Sequence, residues 1–191
     1  MKIIFATNNP NKLAEIQNAL GDDFDLVSLK DIGFEGEIPE TGRTLEANAL
    51  QKATFIFDRY KVPVFADDTG LEVACLNGLP GVDTAHYSGS RDADANIQKL
   101  LSETRFHEDR SAAFRTVIAF IADMDKKLFS GEIQGRIAEA KSGKEGFGYD
   151  PVFVPEGETR TFAEMNMEEK KQKNHRVRAL KKFTDYLKET Y

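Results

Sequence analysis

Three acidic side chains and one lysine give the first chemical lead. Asp67 and Asp68 stand side by side in VFADDTGLEVA (64–74), and Glu40 lies upstream in PETG (39–42). Carboxylates delivered from separate strand ends suit Mg²⁺, which takes oxygen ligands, keeps several waters and can bridge to phosphates. Neighbouring residues on an extended chain point to opposite sides. Asp67 and Asp68 are therefore expected to do different jobs, one ligating while the other positions the ion or accepts a proton. The same letters also read as an ordinary Asp- and Gly-rich turn. Asp68-Thr69-Gly70 matches an aspartic-protease triplet as well, but that chemistry needs two such loops sharing a proton. The chain has one, together with at least four segments of helical periodicity.

Three further stretches carry groups that hold anions or flat rings. TNNPNK (7–12) leaves an apolar run and enters a helical one, so backbone N–H groups and the positive helix end face whatever lies above it. Thr7, Asn8, Asn9, Pro10 and Asn11 make that turn, and Lys12 adds a cation one turn in. This is a phosphate cradle without the glycines of a Walker A loop, or else simply a capped helix start. GFGYDPVF (146–153) sets Phe147 and Tyr149 about Gly148, so backbone can pass close to a flat ligand while a ring stacks on it. Asp150 either accepts hydrogen bonds from a base or fixes the loop, and core aromatic packing is the alternative for the whole stretch. In EEKKQKNHRVRAL (168–180), Lys170, Lys173, His175, Arg176 and Arg178 concentrate positive charge just before an amphipathic helix. They could meet phosphate or base oxygens, or form a solvated helix start. His86 and His107 have no partners at metal-ligand spacing and receive no role.

The elements that must position these groups follow from periodicity. KIIFAT reads as a buried first strand, NPNKLAEIQNALG as a helix capped by Asn9 and stopped by Gly21, and DFDLVSL as a second strand. ETGRTLEANALQKATFIFDRY carries an apolar stripe at Leu45, Ala49, Ala53 and Ile56. VPVFA and LEVACL read as two strands separated by an Asp67–Gly70 loop. DADANIQKLLSET is helical, AAFRTVIAFIA and KLFSGEIQGRIAEA pair through an Asp123–Lys126 turn, and HRVRALKKFTDYLKETY ends in a helix with Leu180, Phe183 and Leu187 on one face. Strands alternating with helices place the chain in the α/β class, and with 191 residues it is expected to form one domain, 1–191, a size that also allows two lobes with a cleft between them.

Composition limits the partners. A formal net charge of −6 argues against a general binder of nucleic acid polymers, so any anionic ligand must meet a local cationic cluster. One cysteine excludes an intrachain disulfide and a multi-cysteine zinc site. MKIIFATNNP lacks a long apolar signal region and no run approaches the ~20 residues of a membrane span, so a cytoplasmic protein with no membrane partner is expected.

Taken in order, TNNPNK, PETG, FADDTGLEV, GLPGVDTAHYSG, GFGYDPVF and NHRVRAL resemble the inosine/xanthosine triphosphate pyrophosphatase family across nearly the whole chain. The resemblance implies a mixed α/β fold with an elongated central sheet flanked by helices, two lobes and an active-site cleft between them, assembled as a homodimer. It implies Mg²⁺-dependent hydrolysis of ITP, dITP and XTP to the monophosphate and pyrophosphate, which clears non-standard purine nucleotides from the pool. By residue, it implies triphosphate binding by Thr7–Lys12, with Lys12 also serving catalysis, and a metal site at Glu40, Asp67 and Asp68. Asp68 would be the proton acceptor, Thr69 a hydroxyl touching substrate, and Phe147, Gly148, Tyr149 and Asp150 the base-binding segment. Lys170, His175 and Arg176 would read the 6-oxo group. Water would attack the α-phosphorus, with pyrophosphate leaving against Lys12. Two positions depart from the family pattern: Asn174 stands where a serine is usual, and His86 where an arginine is. A related pyrophosphatase acting on modified pyrimidines, as in the septum-formation-inhibitor group, and a protein that sequesters nucleotides without cleaving them are the competing readings.

Overall fold

The first strand shows why the amino terminus folds as it does. β1 (Lys2–Phe5) is four residues of which the last three are buried, and it pairs in parallel with β2 (Asp25–Ser28) on one side and β3 (Val64–Val73) on the other. Parallel strands buried on both faces require near-continuous apolar sequence, which Ile3-Ile4-Phe5 and Val64-Phe65-Ala66 supply. The Phe5 and Phe65 rings, opposite each other in register, stack with centroids 4.4 Å apart and planes 6° from parallel.

The computed structural model describes residues 1–8, 12, 13, 16, 17, 20 and 24–191. Among these, six strands form one sheet in the order β2-β1-β3-β4-β5-β6, with β4 at Ser111–Ala122, β5 at Asp125–Ile137 and β6 at Phe153–Pro155. β5 and β6 are antiparallel, so the sheet is mixed. Among the described residues it is accompanied by α1 (Leu45–Tyr60), α2 (Ala93–Thr104), α3 (Met167–Gln172) and α4 (His175–Thr190). Lys12, Leu13, Ile16, Gln17 and Leu20 are also helical, while the expected cap at Asn9 and stop at Gly21 lie outside the described residues.

Two expectations from the sequence need correction. VPVFA and LEVACL are not two strands with an acidic loop between them. β3 runs unbroken from Val64 to Val73 through Asp67-Asp68-Thr69-Gly70, and Ala74–Leu76 is a 3₁₀ turn. The strand survives two adjacent carboxylates because each meets a different ammonium group, Lys12 for Asp67 and Lys52 for Asp68. The β4–β5 hairpin also turns on Asp123-Met124 alone, with Asp125 already in β5.

The chain divides into two compact units, Met1–Asp68 with Thr116–Gly131 and Arg178–Tyr191, and Thr69–Arg115 with Glu132–Val177. The chain passes from one to the other inside β3, β4 and β5, so neither unit is a contiguous stretch of sequence. The first unit is organised around Ile3, Phe5, Phe65, Ile118 and Phe120, covered by Leu180, Phe183 and Leu187 of α4. α1 adds its stripe there, with Leu45, Ala49, Ala53 and Ile56 all buried. The second unit is built on Leu71, Phe114, Ile133 and Phe153, against which α2 sets Ile97 and Leu100. Asp92 caps α2 by accepting the Ala95 N–H at 2.9 Å. No helix of the described residues is long and apolar enough to cross a membrane.

Candidate active site

In the first unit the parallel register, Ile4 with Val64 and Phe5 with Phe65, sets the carboxyl end of β1 beside the part of β3 that runs into Asp67 and Asp68. Residues that follow Phe5 and residues that follow Phe65 therefore meet. The Lys12 Nζ reaches Asp67 Oδ2 at 2.5 Å, and Asp67 is buried. Thr7 donates its N–H to the Phe5 carbonyl at 2.8 Å, and the exposed Asn8 side chain donates to the Gly36 carbonyl at 3.4 Å. Asn9, Pro10 and Asn11 lie outside the described residues.

The second acid is handled by α1, whose inner face also holds the PETG loop. Thr44 starts the helix by accepting the Ala47 N–H at 3.1 Å. Asn48 Oδ1 then accepts the Gly42 N–H at 2.7 Å, Gln51 accepts the Thr41 N–H at 2.8 Å, and the Lys52 ammonium bonds Glu40. Gly42 has to be glycine, because a Cβ there would lie 2.7 Å from the Ala47 Cβ and 2.8 Å from Asn48 Oδ1. Lys52 is itself buried and sits 3.7 Å from Asp68 Oδ1, so one ammonium is shared by Glu40 and Asp68. Burial raises the Asp68 carboxyl above its usual range. Lys52 pulls it back, and the neighbouring Glu40 and Asp67 charges push it further up.

The donor set fits a hard divalent cation. Among the described residues no three His, Cys, Asp or Glu side chains form a ready-made cage. Mg²⁺ does not need one, since it is commonly held by one or two carboxylates plus substrate phosphates and waters. Glu40 and Asp68 already converge on a single cation, the Lys52 ammonium, and are the pair that could share a second. Asp67 is turned to Lys12 instead.

In the second unit a cavity of about 530 Å³ collects most of the remaining candidates, a size typical of small-molecule sites. Thr69 lines it, as do Phe147 to Asp150 and, from α3 and α4, Lys170, His175 and Arg176. Phe147 is 80% exposed, so its ring is available to stack on a ligand. Tyr149 is buried, and its hydroxyl donates to the Thr84 carbonyl at 2.9 Å. Burial pushes that hydroxyl's pKa well up, and the residue anchors the loop. Asp150 fixes the loop, one of the two roles expected of it. Its Oδ2 accepts the Phe147 N–H at 3.2 Å and the Lys170 ammonium at 3.0 Å. Gly146, at φ +85°, lets this happen, since a Cβ there would sit 1.9 Å from Asp150 Oδ2 and 2.4 Å from Lys170 Nζ.

His175 packs its ring on Phe114, with centroids 5.3 Å apart and planes 14° from parallel. Asn174 takes the helix-cap position before it, accepting the Arg176 N–H at 2.8 Å. A serine hydroxyl could serve the same cap. His86, the other departure, ends the 3₁₀ segment Gly81–His86, exposed and 3.4 Å from Asp83.

A model of the Ham1 family matches residues 3–186. The chain belongs to the Ham1 family. Among relatives of this Ham1-family chain, a Porphyromonas gingivalis protein named dITP/XTP pyrophosphatase is 52% identical over 188 residues, covering 97% of each chain. A Bacillus subtilis protein of the same name is 42% identical over 189 residues, covering 96% of each. Among solved structures, the Staphylococcus aureus Ham1 protein superposes with a TM-score of 0.95 at 35% identity over 100% of both chains. A Mycobacterium abscessus structure described as a nucleoside-triphosphatase and dITP/XTP pyrophosphatase gives 0.87 at 42% identity, covering 96% and 98%. The mixed sheet flanked by helices is thus the fold of the Ham1 structures.

Sequence reasoning overlooked Lys52, Asn48, Phe114 and Arg91. The first two had a signal. Asn48 and Lys52 interrupt the stripe Leu45–Ala49–Ala53–Ile56 on its own face, and polar groups at apolar positions of a helix need buried partners. Phe114 and Arg91 had none, because a strand phenylalanine and a loop arginine look ordinary until the cavity is assembled.

Proposed function

We propose that this Ham1-family chain hydrolyses ITP, dITP and XTP to the nucleoside monophosphate and pyrophosphate, acting in the cytoplasm as a homodimer to clear non-standard purine nucleotides. The observation that carries this reading is the continuity of β3. Asp68 and Thr69 are consecutive residues of one strand, the first bearing a carboxylate of the charged cluster and the second lining the cavity. A carboxylate and ammonium cluster and a base-sized cavity are the two kinds of site that a nucleoside triphosphate needs. The family relationship supports the same reading, since relatives up to 52% identical are named for this reaction.

In this mechanism Lys12 and Lys52 offset the charge of the triphosphate. Asp68, whose carboxyl burial holds above its usual range, accepts the proton of the attacking water. The water oxygen bonds to the α-phosphorus while the bond from that phosphorus to the α,β-bridging oxygen breaks, and pyrophosphate leaves with the electron pair. Mg²⁺ held by Glu40 and Asp68 would supply further charge neutralisation along the phosphates. At the other end, Phe147 stacks on the base while Lys170, His175 and Arg176 present donors to it. Donors suit the 6-oxo acceptor of hypoxanthine and xanthine and oppose the 6-amino group of adenine.

Pyrophosphate release from ITP, XTP, ATP, dUTP and 5-methyl-UTP, with Mg²⁺ and with a chelator, tests the proposal. The expected result is release from ITP and XTP only, lost on chelation. Preference for a pyrimidine, or binding without release, would overturn it. Sedimentation at micromolar concentration tests the homodimer, and a single monomeric species would remove that part.

A further inference from the structure

We propose that Arg91 is a specificity-determining residue that reads the 2-position of the purine, favouring xanthine and disfavouring guanine. The inference rests on the base-in-cavity reading above. Donors on Lys170, His175 and Arg176 account for the 6-oxo group, but guanine shares that group. They therefore do not by themselves separate GTP from ITP or XTP.

Arg91 reaches the cavity from the segment joining Gly81–His86 to α2, and those two flanking elements contribute Thr84, Ala85 and Asn96 to the lining. That segment is held in place. The buried Asn96 accepts the Ser88 N–H at 2.7 Å and donates to the Ala85 carbonyl at 3.2 Å. Ser90 Oγ lies 3.2 Å from Ser88 Oγ and accepts the Asp92 N–H at 3.3 Å, so the backbone on both sides of Arg91 is tied. Charge points the same way. Lys170 already shares its charge with Asp150 at 3.0 Å and Lys173 with Glu158 at 2.9 Å. Arg91 makes no ion pair with any of the described residues, and Asp150 is the one carboxylate among the described lining. A cationic fork with only donors is thereby offered to the ligand.

The chemistry of the 2-position separates the three 6-oxo purines. Xanthine carries a 2-oxo acceptor, and its acidic ring N–H is ionised at neutral pH, so a guanidinium gains both a hydrogen bond and a charge. Hypoxanthine has only a hydrogen there and neither gains nor loses. Guanine has an amino group, and two donors face each other with neither satisfied.

The test compares kcat/KM for XTP, ITP and GTP in the wild-type chain, Arg91→Gln and Arg91→Lys, alongside equilibrium binding of XMP, IMP and GMP. Arg91 is exposed, so the fold is not at stake. Arg91→Gln is expected to lower XTP turnover about tenfold relative to ITP, the scale of one charge-assisted hydrogen bond, and to raise GTP relative to ITP. Arg91→Lys restores part of the XTP preference. An equal loss on XTP and ITP would identify a phosphate contact, and no change on any substrate would remove Arg91 from recognition. Either result overturns the proposal. If the wild-type chain releases no pyrophosphate but binds XMP over IMP in an Arg91-dependent way, the hydrolytic reading fails and the role of Arg91 stands.

Discussion

Asp67 and Asp68 are adjacent, yet their surroundings are unlike. Asp67 is buried against Lys12, whereas Asp68 shares Lys52 with Glu40 and has its carboxyl raised by desolvation. Alternation along a strand predicts that neighbours face different ways, and that much was legible in the sequence. The identity of each cation was not, because Lys12 and Lys52 come from separate helical segments whose placement depends on packing. The difference has a kinetic consequence. Asp68→Asn removes the proton acceptor and is expected to lower kcat on ITP by about 10²- to 10⁴-fold with an unchanged circular dichroism spectrum. Asp67→Asn leaves that acceptor in place and loosens Lys12, so its main effect is expected on KM. Near-normal turnover by Asp68→Asn would take that residue out of the mechanism.

At the scale of elements, the long amphipathic helices were the clearest features in the sequence. The stripe of α1, the Ile97 and Leu100 face of α2, and Leu180, Phe183 and Leu187 of α4 all pack inward as their spacing indicates. β3 was misread because Asp-Asp-Thr-Gly is turn vocabulary. A local rule has no means of knowing that ammonium groups will neutralise both carboxylates and that Gly70 and Leu71 will be buried. The start of α4 makes a prediction of its own. Asn174 caps it, so Asn174→Ala should cost about 1 kcal/mol in urea denaturation while Asn174→Ser costs little. Equal losses in the two variants would show that Asn174 matters for something other than its cap.

For the molecule as a whole, stability and charge are distributed unevenly. Phe183 is fully buried, with its ring 4.8 Å from that of Phe65 and 5.7 Å from that of Phe120. Phe183→Ala should therefore cost about 3–5 kcal/mol by chemical denaturation, whereas the exposed Phe106→Ala should cost almost nothing. A loss under about 1 kcal/mol at Phe183 would mean that the core around it is not close-packed. The net charge of −6 coexists with a cavity lined by Arg91, Lys170, Lys173 and Arg176, so an acidic chain still offers a local cationic site to a small anion.

The sequence alone determined the α/β class, the helical faces and the ordered blocks that relate this chain to its family, because periodicity and motif order are properties of the chain itself. Tertiary structure decided that the acidic stretch is strand, that Lys52 joins Glu40 to Asp68, that Phe114 supports His175, and that Arg91 reaches the cavity. Each of these is a choice of partner between residues distant in sequence. Such choices follow from how elements pack, and a local pattern of residue types does not contain them.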